Sequence, residues 1–457
     1  MPAGKLSSPT SQAIAFAVAW LVFFTALQWS VVRYQVIIVA ALTAATVGLA
    51  LWQWRGWRVQ LTPSSVALML AGSALATATV PLFSYLAPTG LAVATTLLVG
   101  GPLTCAALLL ARGPRAAALR LVAGAVALLT YAACVATAIV SSPHPRIDVW
   151  VALQQASDGI LRGQDFYSMI WVGSPGLKDA FTYLPWTAVL LAPGRWLFGD
   201  VRWALGFWML AALVGVWLLA RGGNGLGSAS PPTAGSTVRS RPWVWTAVAV
   251  TALLVFAPGT LTQLDQSWTE PLLFAAVVWW AVLLQRGRTS SGHGAWWAVV
   301  PLALACASKQ HFAVLLPIML VWRPFGWRRT VATGLLAGVL ISPWVLMSPS
   351  DFVHDTITLL VSFHPIRFAN TLYLLALNTY GVTLPFYVTG LAVLGTLGAI
   401  CWMVWRRQPP LAELLRWLAL MLMVANLVNK QAFYNQFWLV GALVVLSLTM
   451  PPKTADS

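Results

Sequence analysis

The sequence has very little charge for its length. Only 8% of its 457 residues are Asp, Glu, Lys or Arg, whereas 59% are hydrophobic and the mean hydropathy is +0.78. A soluble domain carries about 25% charged residues, because water must solvate its surface. This composition excludes a soluble globular protein and predicts an all-α polytopic membrane protein.

Motifs that bind nucleotides, metals or redox partners are also missing. There is no P-loop, HExxH, CxxC, GxSxG or DxD pattern, and the four cysteines lie singly in apolar runs. These absences disfavour ATP-driven transport, metalloprotease activity and nucleotide-sugar chemistry, and no metal site is predicted. A pI near 10.5 is typical of nucleic-acid-binding proteins. Here the basic residues stand singly between apolar runs, so we expect no nucleic-acid partner.

Apolar runs that could cross a membrane follow one another along the chain. A span needs about 20 apolar residues. The candidates fall near 12–32, 35–52, 64–82, 88–111, 117–141, 203–220, 243–257, 269–285, 296–307, 312–322, 330–347, 385–405, 412–428 and 433–450. This predicts a bundle of about 12–14 transmembrane helices, with 296–322 as a broken pair and the short apolar piece 183–198 on the membrane surface. We expect 1–116 to form N-terminal transmembrane helices, followed by a module over 117–457 with a polar loop at about 142–202.

Positive charge is sorted between alternate loops. With the N-terminus inside, the cytoplasmic loops hold 18 of the 27 Lys and Arg residues but only two of the 11 acids. Lys and Arg resist translocation, so this bias predicts that both termini are cytoplasmic. The Gly/Ser/Pro-rich segments 221–242 and 286–295 are interpreted as flexible cytoplasmic linkers. Arg outnumbers Lys 22 to 5, which hints at a GC-rich genome and a bacterial plasma membrane.

Nine acids fall on the outer side, and Asp148 is the most distinctive of them. In SSPHPRIDVW, two prolines end the preceding span, and the next residues have the apolar spacing of an amphipathic helix. Asp148 would lie at the start of that helix, as a helix cap, a functional carboxylate, or both. Asp158, farther along the helix, is either a solvated residue or a substrate ligand. Asp165, which begins the sequence Asp-Phe-Tyr ending at Tyr167, fits a turn or cap, and both residues are also candidates for substrate binding.

Several outer polar residues lie beside spans and have two interpretations each. Lys309 and His311, in SKQH, and His364, Arg367 and Lys430 are either interfacial anchors or parts of a basic pocket for a phosphate. Gln263 and Asp265, in LTQLDQ, either bind sugar hydroxyls or are solvated loop residues. Trp150, Trp171 and Trp268 are candidates for stacking on a sugar ring.

These segments resemble a known family. The early Asp148, then DGILRGQDFY, then FTYLPWTAVLLAPGRWLFGDVRWAL look like the first outer loop of GT-C membrane glycosyltransferases. The similarity is greatest to bacterial polyprenol-phosphate-mannose-dependent mannosyltransferases. Tyr183 and Pro185 match a Tyr-x-Pro stretch that opens a juxtamembrane helix, and SKQH matches a lysine-bearing break between two spans. The resemblance covers about 140–325.

The resemblance implies a GT-C-type bundle and a mechanism. The donor would be a polyprenyl-phosphate sugar, and the acceptor a glycolipid or glycan in contact with the membrane lipid. Asp148 would act as the general base in an inverting transfer. The candidates for stabilising the departing phosphate are Lys309, His364, Arg367 and Lys430. No cofactor is established, although a divalent cation near Asp158 or Asp265 is an open alternative.

Two other functions stay open at this point. A polytopic transporter or lipid flippase would show repeated halves with interrupted spans at matching positions. The sequence has one such break and no internal repeat. A non-catalytic member of the same fold is the third interpretation.

Overall fold

The computed structural model describes residues 9–223, 242–289 and 293–450, and within them the chain is helical without strands. The first helices are α1 Pro9–Ser30, α2 Val36–Arg55, α3 Pro63–Thr79, α4 Pro88–Leu110, α5 Ala116–Ser141, α6 Asp148–Leu161, α7 Trp186–Phe198, α8 Arg202–Gly223, α9 Pro242–Val255 and α10 Thr260–Asp265. The others are α11 Glu270–Thr289, α12 Val299–Cys306, α13 Leu316–Val321, α14 Gly326–Met347, α15 Pro349–Val353, α16 Leu359–Ser362, α17 Leu372–Tyr380, α18 Phe386–Arg407, α19 Leu411–Leu427 and α20 Tyr434–Ser447.

These helices confirm a helical membrane protein. In the described part of the chain, seven helices are long and apolar enough to cross a bilayer, namely α1, α2, α4, α5, α8, α14 and α18. Five further apolar helical segments have 10–17 residues. Every predicted run coincides with a helix, because a backbone in lipid must satisfy its polar groups internally. The count of 12–14 spans stays a prediction.

The loop between α5 and α8 begins as the sequence predicts. Helix α5 ends at Ser141, before Pro143 and Pro145, and α6 starts at Asp148. After a 3₁₀ turn over Phe166–Ser168, α7 occupies the short apolar piece and ends at Phe198. Its C-cap is Gly199, whose φ of 84° favours glycine. Thus α6 and α7 form a pair that packs together beside the bundle.

The segment 296–322 is broken as expected. A 3₁₀ turn leads into α12, the helix stops at Cys306, and a second 3₁₀ turn over Gln310–Leu315 leads into α13. Both pieces pack against α14. Most of the first predicted linker, 221–242, lies outside the described residues. The second, 286–295, is described except for 290–292: α11 continues to Thr289 and a 3₁₀ turn begins at His293, so the prediction of a flexible linker is wrong for 286–289. Lys5, Arg239, Arg241, Lys453 and Asp456, which contributed to the charge count, also lie outside the described residues.

The N-terminal helices are integral to the bundle. Helix α1 packs on α20, and α2 packs on α19, where Gln53 Nε2 donates to the Glu413 backbone oxygen over 3.0 Å. On the same end of the bundle, Trp322 Nε1 donates to the Pro409 backbone oxygen over 2.8 Å. The structure contains no feature that tests a domain boundary at 116.

Candidate functional site

The helix break at Ala307–Lys309 is held by the start of α7. Leu184 N donates to the Ser308 carbonyl over 3.2 Å, and Trp186 N donates to the Ala307 carbonyl over 3.1 Å. The Thr187 hydroxyl adds a 2.6 Å bond to the Ser308 carbonyl. Helix ends in an apolar environment need such partners for their free carbonyls. The break and the loop after α6 therefore form one structural unit.

A cavity of about 870 Å³ lies next to this unit. Its wall comes from segments around 30–32, 83–85, 146–149, 175–176, 182–183, 266–268, 309–311, 366–370 and 429–437. These segments connect alternate helices and are the loops that the charge count assigns to one side. Their convergence at one end of the bundle agrees with that sorting. The volume falls in the range of about 300–1,000 Å³ that is typical of ligand pockets.

Asp148 lies on the cavity wall as the first residue of α6. Its Oδ1 accepts a hydrogen bond from Val149 N over 2.8 Å, so the side chain also binds the first turn of the helix. Its Oδ2 accepts none from the described residues and faces Gly176, where a Cβ would come within 2.3 Å of that oxygen. Ile147, and not Asp148, is the N-cap of α6, so the cap interpretation of Asp148 is wrong, and its functional interpretation stays a prediction. One carboxylate oxygen has free lone pairs at the cavity.

Two tyrosines lie within electrostatic reach of Asp148. Burial raises the pKa of Tyr85, and the charges of Asp265 and Asp148 raise it further. Burial likewise raises the pKa of Tyr183, with contributions from the charges of Glu270 and Asp148. Both phenols line the cavity and stay protonated at neutral pH. They can donate or accept hydrogen bonds but carry no charge.

Lys309 lines the cavity but its charge already has a counter-ion. Its ammonium group donates to Oε1 of the fully buried Glu270, whose Oε2 accepts from Asn435 Nδ2 over 2.8 Å. The ammonium also lies 5.4 Å from the centre of the Tyr183 ring. Glu270, at the start of α11, therefore holds Lys309 in position. The pair is close to neutral overall, so Lys309 alone is a weak site for a phosphate dianion.

Three more basic side chains line the cavity. Lys430 Nζ donates to the Val361 and Phe363 carbonyls over 2.7 and 2.5 Å and keeps its charge uncompensated. Burial lowers the pKa of Lys430. Arg146 is exposed, lines the cavity and has no ion-pair partner among the described residues. His311 also lines the cavity, but burial and the charge of Lys309 lower its pKa to about 3, so its imidazole is neutral at pH 7 and adds no positive charge.

Other candidate residues of the polar loop lie away from the cavity. Asp158 forms a two-pronged ion pair with Arg195 of α7, with N–O distances of 2.8 and 2.9 Å. Asp165 caps the 3₁₀ turn by accepting from Tyr167 N over 3.1 Å, which confirms its interpretation as a cap. The Tyr167 hydroxyl donates to the Tyr183 carbonyl over 2.8 Å. These three residues shape the loop, and substrate contact for them stays a prediction.

The remaining candidates also lie outside the cavity lining. His364 stacks on Phe363 and Arg367 is exposed, although Ile366 and Phe368 beside them do line the cavity. Asp265 is buried and its Oδ2 accepts from Tyr85 N over 3.0 Å. Gln263 is 1% exposed, and neither of its amide atoms has a partner in the described structure.

The residues suggested for a divalent cation do not fit one. Both carboxylate oxygens of Asp158 are engaged by the Arg195 guanidinium, and Asp265 has one oxygen in hydrogen bonds to Tyr85 and Gln266. The described residues contain no cluster of three or more His, Cys, Asp or Glu side chains. Divalent ions need several oxygen ligands together. We therefore derive no step through a metal.

A buried ion pair that the sequence did not reveal holds the start of α6, where Asp148 lies. Asp200 binds the fully buried Arg202 with a 2.7 Å N–O distance. Arg202 also donates to the Ser142 carbonyl over 2.6 Å, and Trp150 Nε1 donates to Asp200 over 3.1 Å. The network ties the end of α5 and the first turn of α6 to α8. The only sequence pattern that could have indicated this ion pair is Asp-x-Arg, at residues 200–202, directly before an apolar run.

Comparisons with known proteins assign the chain to no family. No protein-family model matches the chain, and no curated protein matches it at a significant level.

Proposed function

We propose that the chain is a glycosyltransferase that moves a sugar, mannose or another hexose or pentose, from polyprenyl phosphate to a glycolipid or glycan. The observation that carries this proposal is the free Oδ2 of Asp148 on a large cavity that uncompensated cations also line. The resemblance of the loop sequence to GT-C glycosyltransferases adds support. The charge bias between loops favours reaction on the extracytoplasmic face, and the excess of Arg over Lys favours a bacterial plasma membrane.

The chemistry needs one base and a stabilised leaving group. An acceptor hydroxyl oxygen attacks the anomeric carbon and forms the new glycosidic bond. Oδ2 of Asp148 takes the hydroxyl proton, and the bond to the phosphate oxygen breaks with its electron pair on the phosphate. Attack opposite the departing phosphate inverts the anomeric configuration. A positioned base of this kind contributes roughly 10²–10⁴-fold to the rate.

The leaving phosphate is already an anion, so it needs positive charge rather than an acid. Arg146 and Lys430 are the best candidates, because both line the cavity and neither has a carboxylate partner in the described structure. Lys309 is a poorer candidate because Glu270 neutralises it. We assign His364 and Arg367 no direct contact, since neither lines the cavity.

The decisive experiment compares Asp148→Asn with Asp179→Asn. Asp179 lies exposed in the same loop, so its substitution makes the same chemical change away from the cavity. Each protein is reconstituted in nanodiscs and incubated with radiolabelled polyprenyl-phosphate sugars and a panel of glycolipid acceptors. We expect Asp148→Asn to lose about 10²–10⁴-fold in transfer rate while still binding the donor, and Asp179→Asn to behave like the unaltered protein.

The alternative of a lipid flippase is tested on the same variants. Fluorescent polyprenyl phosphate is followed as it crosses the bilayer of proteoliposomes. A flippase would keep moving lipid when Asp148 is replaced, and it would transfer no sugar. Absence of transfer with every donor and acceptor would count against the glycosyltransferase.

A further inference from the structure

One wall of the cavity is rich in side-chain amides. The segment NKQAFYNQ, which follows α19 and includes the first turn of α20, contributes Asn429, Gln431, Asn435 and Gln436 to the lining. Gln266, from the turn between α10 and α11, adds a fifth amide. Amides are costly to place in an apolar bundle unless they are paired. Their concentration on one wall therefore points to a polar ligand.

Three of these amides carry a buried atom that has no hydrogen-bond partner in the described structure. These atoms are Gln431 Nε2, Asn435 Oδ1 and Gln436 Oε1. The orientation of Asn435 is set, because its Nδ2 donates to the Glu270 carboxylate and its Oδ1 must then be the acceptor. Asn435 is 7% exposed and lines the cavity. The wall thus offers one donor and two acceptors that the protein leaves unpaired.

An aromatic face lies beside these amides. Trp268 lines the cavity and stacks on Tyr434, with ring centres 5.5 Å apart and an angle of 24° between the planes. Tyr434 is 2% exposed and forms a rigid backing. Trp171, in contrast, is 1% exposed, and Trp150 donates its indole N–H to Asp200. Of the three tryptophans considered for sugar stacking, only Trp268 lines the cavity.

We propose that Trp268 and the amides of Gln431, Asn435 and Gln436 form a saccharide subsite. A sugar hydroxyl both donates and accepts, so vicinal hydroxyls can pair with the donor and both acceptors. The apolar face of a pyranose ring can lie on Trp268. A phosphate would satisfy only the donor, and a lipid chain would satisfy none of the three. The inference rests on the proposed function and deepens it by locating the sugar ring.

The test is a binding experiment without turnover. Nanodisc-reconstituted protein carrying Asp148→Asn is titrated with radiolabelled polyprenyl-phosphate mannose, with polyprenyl phosphate lacking a sugar, and with a soluble mannose-containing oligosaccharide. Trp268→Leu and Gln436→Leu are each introduced separately into the protein that carries Asp148→Asn. Trp54→Leu and Gln60→Leu are matched controls, because both side chains are exposed on α2 or just after it.

Trp268→Leu is expected to weaken binding of the sugar-bearing ligand roughly tenfold and to leave binding of bare polyprenyl phosphate unchanged. Trp268→Phe keeps an aromatic face and should restore most of the affinity. If the subsite takes the donor sugar, the loss appears with polyprenyl-phosphate mannose. If it takes the acceptor, the loss appears with the oligosaccharide.

Equal loss for the sugar-bearing and sugar-free lipids, or no loss for any ligand, would overturn the subsite. This failure is separable from that of the proposed function. Transfer that is intact in Trp268→Leu, with unchanged sugar affinity, refutes the subsite alone. Sugar binding that depends on Trp268, in a protein that transfers no sugar, refutes the transferase alone.

Discussion

The ammonium group of Lys309 donates to the carboxylate of Glu270, and both side chains are buried beside the cavity. The two residues are 39 positions apart, on the helix break and on α11. Asn435 completes the arrangement from α20. The pair therefore joins three parts of the bundle at the level of the cavity.

Glu270→Gln should destabilise the protein strongly, because it leaves the Lys309 charge buried without a counter-ion. Removing one partner of a buried pair costs about 3–5 kcal/mol. We expect a lower thermal unfolding temperature in detergent. The double substitution Glu270→Leu with Lys309→Met should recover most of the stability, since no unpaired charge remains. If the protein with Glu270→Gln alone were as stable as the unaltered protein, the ion pair between Glu270 and Lys309 would be contradicted.

Gly176→Ala should reduce transfer by displacing the Asp148 carboxylate. The added Cβ would lie within 2.3 Å of Oδ2, closer than any van der Waals contact allows. A misplacement of about 1 Å in a reacting group can cost up to 10²-fold in rate. Turnover and donor affinity are measured separately, and the loss should fall on turnover.

The control for this substitution is Gly334→Ala, where no atom lies within 4 Å of the new Cβ and the backbone is helical. Its transfer rate should match that of the unaltered protein. Full activity in Gly176→Ala would show that the carboxylate either moves freely or does not take part in the reaction.

Helix positions could be predicted from the sequence because lipid imposes simple rules. A run of about 20 apolar residues must be helical. The predicted run 88–111 is thus observed as Pro88–Leu110, and 117–141 as Ala116–Ser141. The prolines before Asp148 fixed the start of α6 equally well. Local rules of this kind need no knowledge of the partners that a helix finds.

The partners of polar residues could not be predicted in the same way. Tyr85 N binds Asp265 across 180 positions, and no local pattern indicates such a contact. Arg146 lies only two residues before Asp148, yet its importance depends on the absence of a partner, which only the fold reveals. Asp158 was a candidate for substrate binding because the sequence did not reveal its ion-pair partner, Arg195, which lies 37 positions away.

Asp158 and Arg195 should prove to be structural residues. Their pair is partly exposed, and such pairs contribute about 0–1 kcal/mol, so Asp158→Asn should lower stability slightly. The reversed pair, Asp158→Arg with Arg195→Asp, should recover part of that loss. Donor affinity in nanodiscs should stay unchanged throughout. A marked loss of affinity in Asp158→Asn that the reversed pair does not repair would instead support substrate binding.

Asp165 provides a test of pH dependence. Burial raises the pKa of its carboxyl group, the bond from Tyr167 N opposes that rise, and the nearby Asp351 adds to it. A carboxyl group whose pKa is higher in the folded than in the unfolded state is destabilising when ionised in both states. Its unfavourable contribution to the free energy of folding therefore becomes smaller as the pH falls through the pKa of the folded state toward that of the unfolded state. At neutral pH the ionised side chain works against folding.

Asp165→Asn should consequently raise the thermal unfolding temperature slightly at pH 7. The amide oxygen keeps the bond from Tyr167 N, because Asn caps helices as well as Asp does. The advantage should shrink as the pH is lowered, since the unaltered carboxyl group then becomes neutral as well. Unfolding is followed between pH 7 and pH 4, with Asp179→Asn as the exposed control. A variant that is less stable at pH 7, or whose advantage grows on acidification, would contradict the burial of an ionised carboxylate at this turn.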